Sequence, residues 1–341
     1  MSLLNYPPRL SLARLPTPLH PLERASEVWG CGKRLWIKRD DLTGSLLTGN
    51  KVRKLEFIAA HALETGCKTL VTCGGVQSNH CRATALVAAQ LGLRCHLVLR
   101  DDRATALETG NFLLNQLAGA SWEILPAKGW SGALERRFDE LEGQFAERGE
   151  PALMIPTGGS DSLGVWGYLA ATEELAADLS AMSIDNAAVA LATGSGGTQT
   201  GLTAGVAIYE LPLSVVGYAV CDDADWFNHR VQSEWETSLA RWAQLPAVAV
   251  SATTRDHSVG PGYGKASSEV YQRIADLARL EGVVLDPVYT GKAFHGLVED
   301  IRSGFFDGVD DIIFLHTGGV FGLFPHALEL ERSLSQSAAH R

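Results

Sequence analysis

Apolar residues along the chain recur with two periods. Short, nearly unbroken apolar runs predict strands with both faces buried: KTLVTC (68–73), RCHLVLR (94–100), SWEILPA (121–127), ALMIP (152–156), AAVALATG (187–194), LSVVGYAV (213–220) and DIIFLHTG (311–318). Between and beyond them, apolar positions spaced three and four apart predict amphipathic helices over 51–64, 79–91, 105–118, 131–147, 162–179, 198–208, 265–281 and 291–304. In 51–64 the stripe is Val52, Leu55, Ile58, Ala59, Ala62 and Leu63. Strand alternating with helix over such a length predicts an α/β fold with open, mostly parallel sheets and flanking helices.

Four predicted strands run directly into glycine and polar clusters: TCGGVQSNH, PTGGSDSLG, ATGSGGTQTG and HTGG. Ligands of open α/β sheets bind beyond the carboxyl ends of strands, so these loops predict one shared cleft. At 341 residues the chain exceeds the roughly 250–300 residues at which a single core stops growing. Two domains are expected: a small one over 50–158, inserted into a larger one built from 1–49 and 159–341.

Composition narrows the class. Hydrophobic residues make up 46% and charged residues 20%, as in an ordinary globular protein, and 35 glycines suit many tight turns. The net charge of −10 argues against nucleic acid or an anionic membrane as a partner. No apolar run reaches the about 18 residues of a membrane span, and the proline-containing N-terminus lacks a continuous apolar signal-peptide core. The six cysteines have no metal-ligand spacing, so no metal site is expected, and reduced thiols in a cytoplasmic protein are.

The loop Thr193-Gly194-Ser195-Gly196-Gly197-Thr198, between a buried strand and a helix, carries the strongest chemical signal. Its glycines let backbone N–H groups converge, its hydroxyls donate, and the helix N-terminus adds positive potential, which together make a phosphate cradle. It is neither a Walker loop nor a complete dinucleotide fingerprint. In GGVQSNH, Ser78 and Asn79 suit a helix N-cap, and the amides that follow suit a carboxylate. TGNKVRKLE (48–56) puts Lys51 and Lys54 at a helix start, where the macrodipole disfavours cations, so an anionic or covalent partner is implied. A desolvated lysine near a second cation condenses with carbonyl compounds, and a Schiff-base lysine with a separate phosphate cradle is what pyridoxal 5′-phosphate requires. Tyr263 and Tyr289 stand in glycine- and proline-flanked loops, where each suits stacking or proton exchange as well as simple packing.

Together IKRDDLTG, GNKVRKLE, GGVQSNH, ATGSGGTQTG, GPGYG, DPVYTGKA and FLHTGG resemble the 1-aminocyclopropane-1-carboxylate (ACC) deaminase / D-cysteine desulfhydrase family, from about residue 10 to 325. The resemblance implies a fold-type II pyridoxal-phosphate enzyme, distantly similar to the tryptophan synthase β subunit, with the cofactor between two domains. It further implies that Lys51 carries the cofactor, Asn50 and Lys54 neighbour it, and Asn79 bonds its ring oxygen. Gly194, Ser195, Gly196, Gly197 and Thr198 would hold the phosphate. The substrate, a small amino acid, would meet Ser78, Asn79, His80, Tyr263, Tyr289 and Thr290, with Lys51, Ser78 and Tyr289 catalytic. A homodimer is the implied assembly.

Within that family, ACC deaminases resemble EPVYEGK where this chain has Asp286-Pro-Val-Tyr-Thr290-Gly-Lys, and carry leucine where it has Thr317. A carboxylate beside the pyridine nitrogen makes the ring a strong electron sink, which opening a cyclopropane demands; threonines give a weaker sink, sufficient for expelling sulfide. Thr290 and Thr317 therefore favour β-elimination of D-cysteine to pyruvate, sulfide and ammonia. L-cysteate sulfo-lyase and ACC deaminase are the rivals with the same cofactor, and extra cations in the cleft, with Arg53 and His80 the nearby candidates, would favour the former. A non-catalytic protein that binds a phosphorylated metabolite is the rival of another class.

Overall fold

The structure, a computed structural model, describes residues 3–100 and 109–338. Among these residues the strands are β1 (Leu19–Pro21), β2 (Arg34–Lys38), β3 (Thr69–Gly75), β4 (Arg94–Arg100), β5 (Ser121–Leu125), β6 (Ala152–Ile155), β7 (Ala187–Thr193), β8 (Leu213–Ala219), β9 (Thr253–Arg255) and β10 (Asp311–Leu315). The α-helices are α1 (Glu23–Trp29), α2 (Asn50–Glu64), α3 (Asn79–Gln90), α4 (Gly110–Leu117), α5 (Trp130–Glu147), α6 (Val165–Met182), α7 (Gly197–Ile208), α8 (Ala224–Arg241), α9 (Ser268–Glu281), α10 (Thr290–Arg302) and α11 (Ala327–Ala338).

The larger sheet runs β1-β2-β10-β7-β8-β9 and the smaller β5-β4-β3-β6. Every pairing is parallel except β1 with β2. Parallel sheets need both faces covered, and period-two burial along β7 shows how that is met. Ala188, Ala190 and Ala192 pack with Trp29, Ile274 and Phe294 of α1, α9 and α10, while Ala187, Val189 and Leu191 pack with Tyr168, Leu175 and Leu202 of α6 and α7. The smaller sheet repeats the arrangement. Leu70, Leu97 and Leu99 meet Ile58 of α2 and Ala85 of α3, and Val71, Cys73 and Val98 meet Leu141 of α5. Continuous apolar runs, rather than alternating ones, are the sequence trace of this two-sided burial.

The strands predicted from apolar runs form, mostly with ends shifted by a residue or two. The run 311–318 stops at Leu315, releasing His316-Thr317-Gly318 as a loop. The helix predicted over 162–179 lies at Val165–Met182. Of the prediction 105–118, residues 105–108 lie outside the described residues, and the rest contains α4. β1, β2, β9, α1, α8 and α11 were not predicted, for identifiable reasons. β1 and β9 are three residues long, and β2 begins with Arg34 and ends with Lys38, leaving only three apolar residues between. Helix α8 buries only the narrow stripe Phe227, Val231, Glu234, Trp235 and Ser238. No described helix is long and apolar enough to cross a membrane.

Candidate active site

All four glycine-rich loops open onto one cavity of about 590 Å³. Gly74 and Gly75 close β3, Thr157 and Gly158 follow β6, Thr193 and Gly194 end β7, and Thr317 and Gly318 follow β10. The cavity therefore lies at the carboxyl ends of strands from both sheets.

Lys51 enters it from the first turn of α2, with Nζ 3.3 Å from the Gly158 carbonyl oxygen. Burial, and then the charge of Lys54, push the Lys51 ammonium well below its ordinary range, so the free amine is favoured. Lys54 Nζ donates to the same carbonyl at 3.3 Å and to Ser160 Oγ at 3.1 Å. Asn50 is fixed by its Nδ2 donating to Thr198 Oγ1 at 3.0 Å, and its backbone N–H donates to the Thr317 carbonyl at 3.1 Å.

The cradle forms at the N-terminus of α7. Gly196 takes φ +90, which lets the chain turn into the helix, and Gly197 N–H donates to Ser160 Oγ at 3.2 Å. Ser195 Oγ lies 2.8 Å from Ser160 Oγ. A Cβ on Gly197 would stand 2.6 Å from Lys54 Nζ and 2.7 Å from Glu234 Oε1. A Cβ on Gly158, already at φ +71, would stand 2.4 Å from Ser195 Oγ and 3.0 Å from Lys51 Nζ. Both glycines keep the space between amine and cradle open.

On the opposite wall Ser78 caps α3, its Oγ accepting from Cys81 N–H at 3.2 Å. The first amides of that helix, Asn79 and His80, have no intrahelical acceptor, which suits a carboxylate. Asn79 Oδ1 accepts from Asn111 Nδ2 at 2.9 Å, which fixes the side chain. Tyr263 and Tyr289 meet hydroxyl to hydroxyl at 2.5 Å, ring centroids 5.9 Å apart. Burial raises both phenols above their ordinary range and keeps them protonated.

Three sequence expectations need correction. Thr290 does not line the cavity: it is fully buried, its hydroxyl donating to Asp286 Oδ1 at 2.7 Å and accepting from Asp286 N–H at 2.9 Å. Its one proton belongs to the turn that starts α10, where Asp286 also accepts from the backbone N–H groups of Val288, Tyr289 and Thr290. Arg53 is no cation of the cleft, since it is 1% exposed and paired with Asp40 at 2.7 Å and Glu174 at 2.9 Å. His80 lines the cavity, but burial and then the charges of Lys51 and Lys54 push it well below its ordinary range, so it stands there neutral.

The structure adds residues that the sequence reading missed. Arg100, Trp130, Cys221 and Arg230 line the cavity. Glu234 lies buried behind the cradle, 3.6 Å from Arg230, both carboxylate oxygens without a hydrogen-bond donor among the described residues, and burial raises it to about 7. Trp130, Arg230 and Glu234 sit on helices whose own pattern is unremarkable; Arg100, ending β4, and Cys221, just past the end of β8, carried a positional hint.

A depressed amine facing a glycine-lined helix N-terminus across open space fits a ligand with a carbonyl at one end and a phosphate at the other. Comparison with known proteins agrees. A family model described as pyridoxal-phosphate dependent enzyme matches residues 10–318. The chain is 38% identical over 335 residues to the bifunctional D-cysteine desulfhydrase/1-aminocyclopropane-1-carboxylate deaminase, mitochondrial, of Arabidopsis thaliana, covering 92% of this chain and 79% of that protein. It is 39% identical to the D-cysteine desulfhydrase of Klebsiella pneumoniae, covering 96% and 99%. The crystal structure of an ACC deaminase homologue, 35% identical, superposes with a TM-score of 0.86 over 96% of each chain. A fungal L-serine ammonia-lyase from Rhizomucor miehei, 16% identical with a TM-score of 0.68 over 94% and 98%, shares the fold alone.

Proposed function

The chain belongs to the pyridoxal-phosphate dependent enzymes, has their fold-type II architecture and uses pyridoxal 5′-phosphate; from that premise we propose that it is a lyase that converts D-cysteine to pyruvate, sulfide and ammonia. Bound pyridoxal phosphate supplies an electron sink for the pair left at Cα when its proton is removed. Lys51 Nζ would hold the cofactor, with Lys54, Ser195 and the amides of Gly196 to Thr198 around its phosphate and Asn50 and Asn79 beside it.

In this reading the substrate carboxylate takes the Asn79 and His80 amides and the Ser78 hydroxyl. Lys51 Nζ, once the substrate's amine has displaced it and with burial and Lys54 favouring its neutral form, takes the Cα proton. The Cβ–S bond breaks, and Tyr289 Oη, hydrogen-bonded to Tyr263 Oη, delivers a proton to the departing sulfur. The released three-carbon enamine hydrolyses to pyruvate and ammonia.

The observation that carries the preference for sulfide expulsion is the wall at 317–318. It offers the Thr317 hydroxyl, and the buried carboxylate nearest in sequence to Tyr289, Asp286, is engaged by three amides and the Thr290 hydroxyl and does not line the cavity. Without a carboxylate on that wall the sink is weaker, which suits a good leaving group better than a strained ring. The test is keto-acid release from D-cysteine, L-cysteine, L-cysteate, β-chloro-D-alanine and ACC side by side. D-cysteine should dominate; predominant turnover of ACC overturns the proposal.

A further inference from the structure

Two arginines line the cavity at different places. Arg230 stands by the α7 cradle, with Lys54 buried behind it. Arg100 stands apart from them, at the carboxyl end of β4, where it pairs in register with Gly75 of β3. Gly75 in turn packs against Tyr263, since a Cβ there would be 3.3 Å from Tyr263 Cε1. Arg100 is thus on the side of the cavity where the substrate, not the phosphate, is accommodated.

Its guanidinium is held between aromatic faces, 5.1 Å from the Tyr263 ring centroid and 5.8 Å from that of Trp130. Such stacking orients the planar group and leaves its five N–H donors in the plane free. Among the described residues nothing accepts from those donors, and neither Glu135 nor Asp222, the exposed carboxylates that also line the cavity, forms an ion pair with it. Arg53, by contrast, is matched by Asp40 and Glu174, and Arg255 by Asp300. An oriented, half-buried guanidinium with no acceptor among the described residues, next to the tyrosine pair, is a forked anion receptor.

We infer that Arg100 is a specificity-determining residue that binds a negatively charged substituent on the substrate's Cβ, so that the site selects amino acids bearing a thiolate or an oxyacid group there over those with a neutral substituent. The inference rests on the proposal that this cavity takes an amino acid with its carboxylate at α3. It extends that proposal by assigning the other end of the substrate.

The test titrates the holoenzyme with D-serine, whose Cβ substituent is neutral, and with D-cysteate, whose sulfonate is fully charged, following the cofactor absorbance. The wild-type protein should bind D-cysteate at least tenfold more tightly than D-serine. Arg100→Met should abolish that preference while leaving D-serine within about twofold, and Arg100→Lys should restore only part of it, because an ammonium lacks the planar fork. Equal affinity of the wild-type protein for the two ligands overturns the inference, and so does an equal loss of both in Arg100→Met, which would mark Arg100 as a support for Tyr263. Keto-acid release from D-cysteine by the wild-type protein is read separately, so failure of the D-cysteine assignment leaves the binding comparison interpretable.

Discussion

Replacing Arg53 by methionine should unfold the protein far more readily than a change in a three-cation helix start suggests. Arg53 is 1% exposed, and its Nε and Nη2 donate to Asp40, itself wholly buried, at 2.9 and 2.7 Å. Nη1 donates to Glu174 at 2.9 Å. Methionine fills similar volume but leaves Asp40 with only the hydroxyls of Thr17 at 2.9 Å and Tyr168 at 2.6 Å, and leaves Glu174 with Lys38 and the Thr17 backbone N–H at 2.8 Å. Burial alone would raise the Glu174 carboxyl, yet Arg53 and Lys38 outweigh it and hold the group at about 2 instead of 4.5. That net depression, set by Arg53 first and by Lys38 after it, corresponds to ~3 kcal/mol of stability at neutral pH, of which the Arg53 share is the larger. Stripping one partner from a buried pair costs about 3–5 kcal/mol by general experience, so both routes give the same order. Because the folded pKa is depressed, this stability is fully present above pH 4.5 and is lost as pH falls toward 2. Urea unfolding at pH 7 should therefore show Arg53→Met destabilised by about 3–5 kcal/mol, with the gap to wild type narrowing below pH 4.5. A loss below about 1 kcal/mol at pH 7, the size typical of exposed ion pairs, would refute the reasoning.

Tyr289→Phe removes the proposed donor to the leaving group, so kcat for D-cysteine should fall about 10²-fold, while β-chloro-D-alanine, whose chloride leaves unprotonated, should lose far less; steady-state assays with both substrates decide it. Gly197→Ala places a methyl group 2.6 Å from Lys54 Nζ and from Ser160 Oγ, and affinity for pyridoxal phosphate should drop by at least about tenfold in an absorbance titration, with melting temperature little changed. Burial pulls the Lys54 ammonium down to about 8, against the opposing pull of Glu234. Affinity for 4-deoxypyridoxine 5′-phosphate, which lacks the aldehyde and so reports the cradle alone, should be full below pH 8 and decline above it, and Glu234→Gln should move that decline to lower pH; a pH-independent affinity from 6.5 to 9.5 would sink this assignment.

What could be read from the sequence was what local pattern encodes. Two-sided burial writes itself as apolar runs, so β3, β4, β7, β8 and β10 were legible, and glycines at their carboxyl ends announced the cleft. Lys51 and Lys54 stood out because cations at a helix start run against the macrodipole. Arg53, in the same five residues, could not be told from them, since its partners lie 13 and 121 residues away. Arg100 gains its character from Trp130 and Tyr263, and Glu234 from a cradle on another helix. Thr290 is the instructive error. Its acceptor, Asp286, is only four residues back, and an aspartate four positions before a threonine at a helix start is a local turn signature that outweighs a long-range role.

The two lysines of the opening turn show how one helix makes chemically different amines. Both reach the Gly158 carbonyl at 3.3 Å, and two ammonium groups cannot share a single buried acceptor cheaply. Lys54 alone has a further acceptor in Ser160 and a buried carboxylate, Glu234, across the Gly197 position. It therefore keeps more of its charge, and that charge is one of the causes that strip the proton from Lys51. The asymmetry runs the right way for the chemistry: the amine that keeps more of its charge faces the cradle that needs one, and the neutral amine faces the cavity. Glu234 favours the charged form of both lysines, but it is the leading charge acting on Lys54, whereas at Lys51 the repulsion of Lys54 outranks it. A carboxylate with both oxygens undonated, held beside an anion cradle, would be a liability in a protein built for stability alone. Its position is accounted for by what it does to Lys54 and, through Lys54, to Lys51.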